Sequence, residues 1–154
     1  MRIRCIANKY RDLPKGSRAY LPNCDDAEFP VKINQEYTVY GICGMGNEVF
    51  YSILVNAYSS FPEWFSSTLF TVVEGSMPSC WCYQVLPLLR GNTHPSARFI
   101  ISYPEWAYDR TYEWDLFEGV ETHREIWLRY KGLIDQESAQ FLANHLQTTT
   151  LLKE

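Results

Sequence analysis

A chain of 154 residues, 46% hydrophobic and 16% aromatic, holds enough apolar material for one core of its own and too many large rings for a disordered segment. Its formal net charge of −4 disfavours a phosphate-backbone binder, so no nucleic-acid partner is expected. No apolar run approaches the roughly 18 residues that span a bilayer, and the opening MRIRCIANKYR lacks the apolar core of a signal peptide, which points to a cytoplasmic protein without a membrane partner.

Residues 1–8 alternate Arg2 and Arg4 with Ile3 and Cys5, the period of a half-buried strand. Residues 9–28 carry Pro14, Gly16, Pro22 and Asn23 and read as a long irregular loop, long enough to serve as a contact surface. From Glu36 the pattern is that of a β-meander. EYTVYGI alternates, the loop CGMGN supplies two glycines and an asparagine for a reversal, and EVFYSILVN and LFTVV follow as further strands. Between them, residues 58–67 place Tyr58, Phe61, Trp64 and Phe65 around Pro62. Burial is the ordinary use of such rings, so the segment reads as a hydrophobic plug, with an aromatic binding platform as the alternative.

CWCYQVL and ARFIISY read as two more strands, joined by a loop containing Pro87, Gly91, Asn92 and Pro95. From Pro104 the chain mixes acids and rings. A short helix opened by Pro104 and a loop ending at Gly119 are expected. Val120, Trp127, Tyr130 and Ile134 then recur near multiples of 3.6, giving a helix that Gly132 loosens; Asp135 reads as the N-cap of a second helix over residues 136–145, before a frayed tail. The expected architecture is a single α+β domain over 1–154, mainly β to residue 103 and mainly α from 104.

Chemistry is sparse. The five cysteines, an odd number, suit reduced thiols in a cytosol, and the Cys80/Cys82 pair has no second cysteine pair or histidine beside it, so neither a disulfide nor a zinc site is expected. The three histidines lie at no metal-ligand spacing from one another, and neither a phosphate-binding glycine loop nor a GxSxG or HExxH motif occurs, so no metal, cofactor or catalytic residue is assigned. Glu105, Asp109 and Glu113 would line one face of a continuous helix, a geometry that could serve a hydrolase, but no histidine or lysine in the sequence pattern tunes them.

A binding surface is the better use of this stretch. Glu105, Trp106, Asp109, Tyr112, Glu113, Trp114, Asp115 and Glu118 interleave rings that supply hot-spot burial with charges that steer a basic protein partner. The competing reading is a small ligand- or carbohydrate-binding module stacking on Trp64, Tyr58 and Trp81.

MRIRCIANK, FPVKINQEYTVYGI, YSILVN, FPEWF and LFTVVEG together resemble a group of small bacterial proteins that begin with an SH3-like β-barrel. Members of that group often lie beside polymorphic or contact-dependent toxins and are regarded as immunity proteins or orphan relatives of them. The resemblance covers about the first half of the chain. It implies a strongly bent antiparallel sheet or barrel with C-terminal helices packed against it, and neutralisation of a cognate toxin domain, for instance a nuclease, by direct binding without catalysis.

Overall fold

The computed structural model describes residues 1–15, 25–86 and 97–151, without the side chains of residue 97 and residues 144–151. Seven strands form an antiparallel sheet: β1 (Arg2–Cys5), β2 (Glu36–Met45), β3 (Glu48–Ile53), β4 (Glu63–Ser66), β5 (Phe70–Glu74), β6 (Cys82–Val85) and β7 (Ala97–Ser102). Three helices follow: α1 (Pro104–Tyr108), α2 (Tyr112–Phe117) and α3 (Glu121–Leu151). The class is α+β, as expected.

Everything is arranged about β2. It pairs with β1 at residues 36–38, with β3 along residues 39–45 and with β7 at residues 42–45. The strand order is β4-β3-β2-β1-β5, and β6 joins through β7. A register shift between Val39 and Gly41 bends the strand where its partners change. The β2–β3 reversal is a two-residue turn whose Gly46 has φ of 59°, the left-handed conformation that glycine adopts without a Cβ clash. Gly44 serves differently. It lies inside the strand, where an added Cβ would fall 2.3 Å from the Phe99 ring.

β2 is covered on both faces, so the simple in-and-out alternation expected of it does not apply. Tyr37, Val39 and Ile42 pack with Ile3, Cys5, Ile53, Phe65, Leu69 and Phe70 in one core cluster. Tyr40 instead belongs to a second cluster with Ile100, Tyr103, Trp106, Tyr112, Leu116, Trp127 and Ile134, beneath the helices. Trp127 meets Tyr40 edge to face at 4.9 Å and donates its indole N–H to the Ser60 carbonyl at 3.1 Å, which locks α3 onto the sheet.

Several expectations are corrected. Residues 63–66 form β4, paired with β3 from Phe50↔Ser66 to Ile53↔Glu63, so the aromatic segment is partly a strand and not only a plug. The segment between Pro104 and Gly119 holds two short helices, not one. The two C-terminal helices are a single one: α3 runs unbroken through Gly132 and Asp135 and continues into the threonines expected to fray. Asp135 caps nothing, because its carboxylate is engaged by Tyr40 and Lys131. In the 9–28 loop, Tyr10 and Leu13 are buried and Lys9 bridges to Glu28, while its central residues 16–24 lie outside those described, as does the expected loop over 87–96.

Candidate binding surface on the short helices

The acidic aromatic segment is built by two local breaks. α1 ends after five residues at Asp109, whose backbone is extended, and the Asp109 Oδ1 atom accepts from the Thr111 N–H at 2.9 Å, turning the chain into α2. α2 ends at Gly119, with φ of 79°. There the Gly119 N–H donates to the Leu116 carbonyl at 3.1 Å and the Val120 N–H to the Asp115 carbonyl at 2.9 Å, the paired bonds of a Schellman motif that sends the chain back as α3.

These breaks sort the segment's residues. Trp106 is 3% exposed and Tyr112 1%, against Tyr103, whose hydroxyl donates to that of Tyr112 at 3.0 Å. Both are core residues, which corrects their assignment as surface contacts. Trp114 at 65% and Phe117 at 57% exposure face outward, with ring centroids 5.9 Å apart, and Phe117 meets Phe61 at 5.3 Å. Glu113 and Glu118 flank these rings; both residues are exposed, although the Glu113 carboxyl turns toward Trp64 in the cavity wall. A groove of about 390 Å³ runs along Phe61, Arg110, Glu113, Trp114 and Phe117. It adjoins a cavity of about 300 Å³, walled by Trp64, Trp106, Cys43 and Ile100, that shares Arg110 and Glu113.

The three carboxylates set at four-residue intervals do not share a face, because the helix is interrupted between them. Glu105 pairs with Arg129 at 2.7 Å, Asp109 binds Thr111, and Glu113 accepts from the Trp64 indole at 2.8 Å. Partial burial of its carboxyl in the cavity wall pushes the Glu113 pKa up, against the lowering effect of the Trp64 bond. The Asp109 pKa is pulled down, chiefly by the Thr111 N–H, with the Thr111 hydroxyl and His123 adding to it.

His123 is the residue that sequence reasoning missed. It stands in the first turn of α3, 3.8 Å from Asp109 and 3.6 Å from Asp115, so the acids of this segment do have a histidine beside them. No periodicity announces that meeting, which depends on the reversal at Gly119; the glycine itself was the available signal. The imidazole faces the two carboxylates through Nε2 and the Thr122 hydroxyl, 3.4 Å away, through Nδ1.

The rings of the alternative aromatic platform differ in exposure. Tyr58 is exposed, but Trp64 and Trp81 are half-buried against the second core cluster. Cys5, Cys43, Cys80 and Cys82 are unpaired, and Cys24 lies outside the described residues. Among the described residues no helix is long and apolar enough to cross a membrane. No family model, curated protein or solved structure matches the chain.

Proposed function

We propose that this chain is a non-catalytic binding protein of the immunity type, which docks a basic protein partner such as a toxin domain on the ridge formed by α2. The observation that carries the reading is the outward pairing of Trp114 and Phe117, flanked by the acids Glu113 and Glu118 and continued by the groove to Phe61. Two exposed rings side by side on a surface helix add little to the fold and supply what protein interfaces use as anchors. The acids favour a basic partner, and a nuclease toxin, which needs positive potential to hold phosphates, fits that requirement.

The test is the kinetics of association with the product of a toxin gene adjacent to this one, at two salt concentrations. Trp114→Ala and Phe117→Ala are expected to speed dissociation at least tenfold. Glu113→Gln with Glu118→Gln is expected to slow association and flatten its salt dependence. Unchanged kinetics in all three variants, with folding intact, would remove the ridge from the interface.

A further inference from the structure

Asp109, Asp115 and His123 bring one ligating atom each to within 4.8 Å of the others. His123 Nε2 stands 3.8 Å from Asp109 Oδ2 and 3.6 Å from Asp115 Oδ2. Both separations exceed the roughly 2.7–3.2 Å of an N–H···O hydrogen bond. They lie instead near the ~3.4 Å edge of a tetrahedron drawn with metal–ligand bonds of about 2.1 Å. The two carboxylate oxygens lie within 4.8 Å of each other, so all three groups stand within the reach of one ion.

Their surroundings hold them in that pose. The Thr111 N–H and hydroxyl approach Asp109 Oδ1 at 2.9 and 3.0 Å, leaving Oδ2 free to face the cluster. The same hydroxyl lies 2.8 Å from Asp115 Oδ2, so Thr111 ties the two carboxylates of the cluster together. The imidazole ring packs 5.0 Å from the Tyr112 ring, and Nδ1 sits 3.4 Å from the Thr122 hydroxyl, on the opposite edge from Nε2.

We propose that Asp109, Asp115 and His123 bind a first-row divalent cation of the zinc class through two carboxylate oxygens and one imidazole nitrogen, with a fourth position open to water. The imidazole selects against calcium and magnesium, which take all-oxygen sets, and two carboxylates balance the double charge. The ligands come from the α1–α2 connection, from α2 and from the first turn of α3. A bound ion would therefore clip together the hairpin that displays Trp114 and Phe117.

The reduced, full-length protein is titrated with Zn²⁺ against a chromophoric chelator, and with Co²⁺ by absorption spectroscopy. One equivalent should bind, and affinity should fall at least tenfold in Asp109→Asn and in His123→Gln. The Co²⁺ spectrum should lack a thiolate charge-transfer band, and a zinc excess of about a hundredfold over Kd should raise the melting temperature by several degrees in the unaltered chain but not in His123→Gln. Asp109 is exposed, so its variant is expected to fold even if the histidine variant does not. Absence of saturable binding overturns the proposal, as does binding retained in folded Asp109→Asn, or a thiolate band that moves the ion to Cys80 and Cys82. Trp114→Ala leaves all three ligands in place, so this outcome and that of the ridge experiment are separable.

Discussion

The hydroxyl of Tyr40, at the bend of β2, donates a 2.8 Å hydrogen bond to Asp135 Oδ1 in the middle of α3. The bond joins the strand shared by both core clusters to the long helix α3, and burial pushes the Tyr40 pKa well above the usual phenol range, with the nearby Asp135 charge adding to the shift. The two ends of the bond are unequal. Without the hydroxyl, Asp135 keeps water and Lys131, whose ammonium lies 2.5 Å from its other oxygen. Without the carboxylate, a buried phenol is left with an unpaired donor. Tyr40→Phe is therefore expected to cost about 1–1.5 kcal/mol and Asp135→Ala about 2–3 kcal/mol, with the double variant well short of the sum. Urea unfolding of the four proteins measures the cycle; additive costs would mean that the bond contributes nothing to docking α3.

Gly132 stands in the same helix, and apart from its sequence neighbours and the helix's own backbone nothing lies within 4 Å of where a Cβ would be. A helical interior glycine in open space is replaced favourably, so Gly132→Ala is expected to stabilise the protein by about 0.5–1 kcal/mol. The sign is informative. If the chain were to break there, with a left-handed glycine ending one helix before Asp135 opens another, alanine would destabilise it instead.

That contrast shows why one part of the fold is legible in the sequence and another is not. The meander declares itself through alternation in EYTVYGI and the glycines of its turn, both local. β4 is four residues long and behind a proline, and it becomes a strand only because β3 offers an edge to pair with. Gly132 and Asp135 look like stop and start signals because each is judged by its neighbours. In the fold the helix carries the glycine's cost and runs on, and the aspartate is claimed by a tyrosine from a distant strand. Trp106 and Trp114 are likewise alike in the sequence; the break at Asp109 turns one inward and leaves the other in solvent. His123 becomes visible only once the turn at Gly119 has been made.

The basic opening of the chain is answered across the sheet by Glu36, whose carboxylate lies 2.8 Å from Arg2 and 2.7 Å from Arg4. The Arg4 hydrogen bond, with the charges of both arginines, holds its pKa below the ordinary 4.5 despite some desolvation. A carboxyl whose folded pKa is depressed contributes stability at pH values above the unfolded one and loses it as pH falls through the folded one. Glu36→Gln is expected to lower stability at pH 7 and to shrink the fall in stability on acidification below about pH 4.5. Thermal unfolding between pH 3 and pH 7 decides it; parallel curves for the two proteins would show the clamp to be without effect.

Trp106 and Trp114 separate the core from the ridge. Trp106 packs 5.4 Å from Trp64, 5.7 Å from Tyr103 and 6.0 Å from Tyr112, all centroid to centroid, so its removal leaves a large hole among rigid rings. Trp106→Ala is expected to cost about 3–5 kcal/mol, a large share of the ~5–15 kcal/mol that a domain has in total. Among the described residues Trp114 makes a single tilted ring contact, with Phe117, and it is 65% exposed, so Trp114→Ala is expected to change stability by no more than about 0.5 kcal/mol. Guanidinium unfolding of both variants measures the difference. Comparable losses would mean that Trp114 is held by the fold after all, and the ridge would lose its claim to be a surface kept for a partner. With the expected difference in hand, weakened binding in Trp114→Ala reports on the interface, whereas the same result in Trp106→Ala reports only that the second core cluster has come apart.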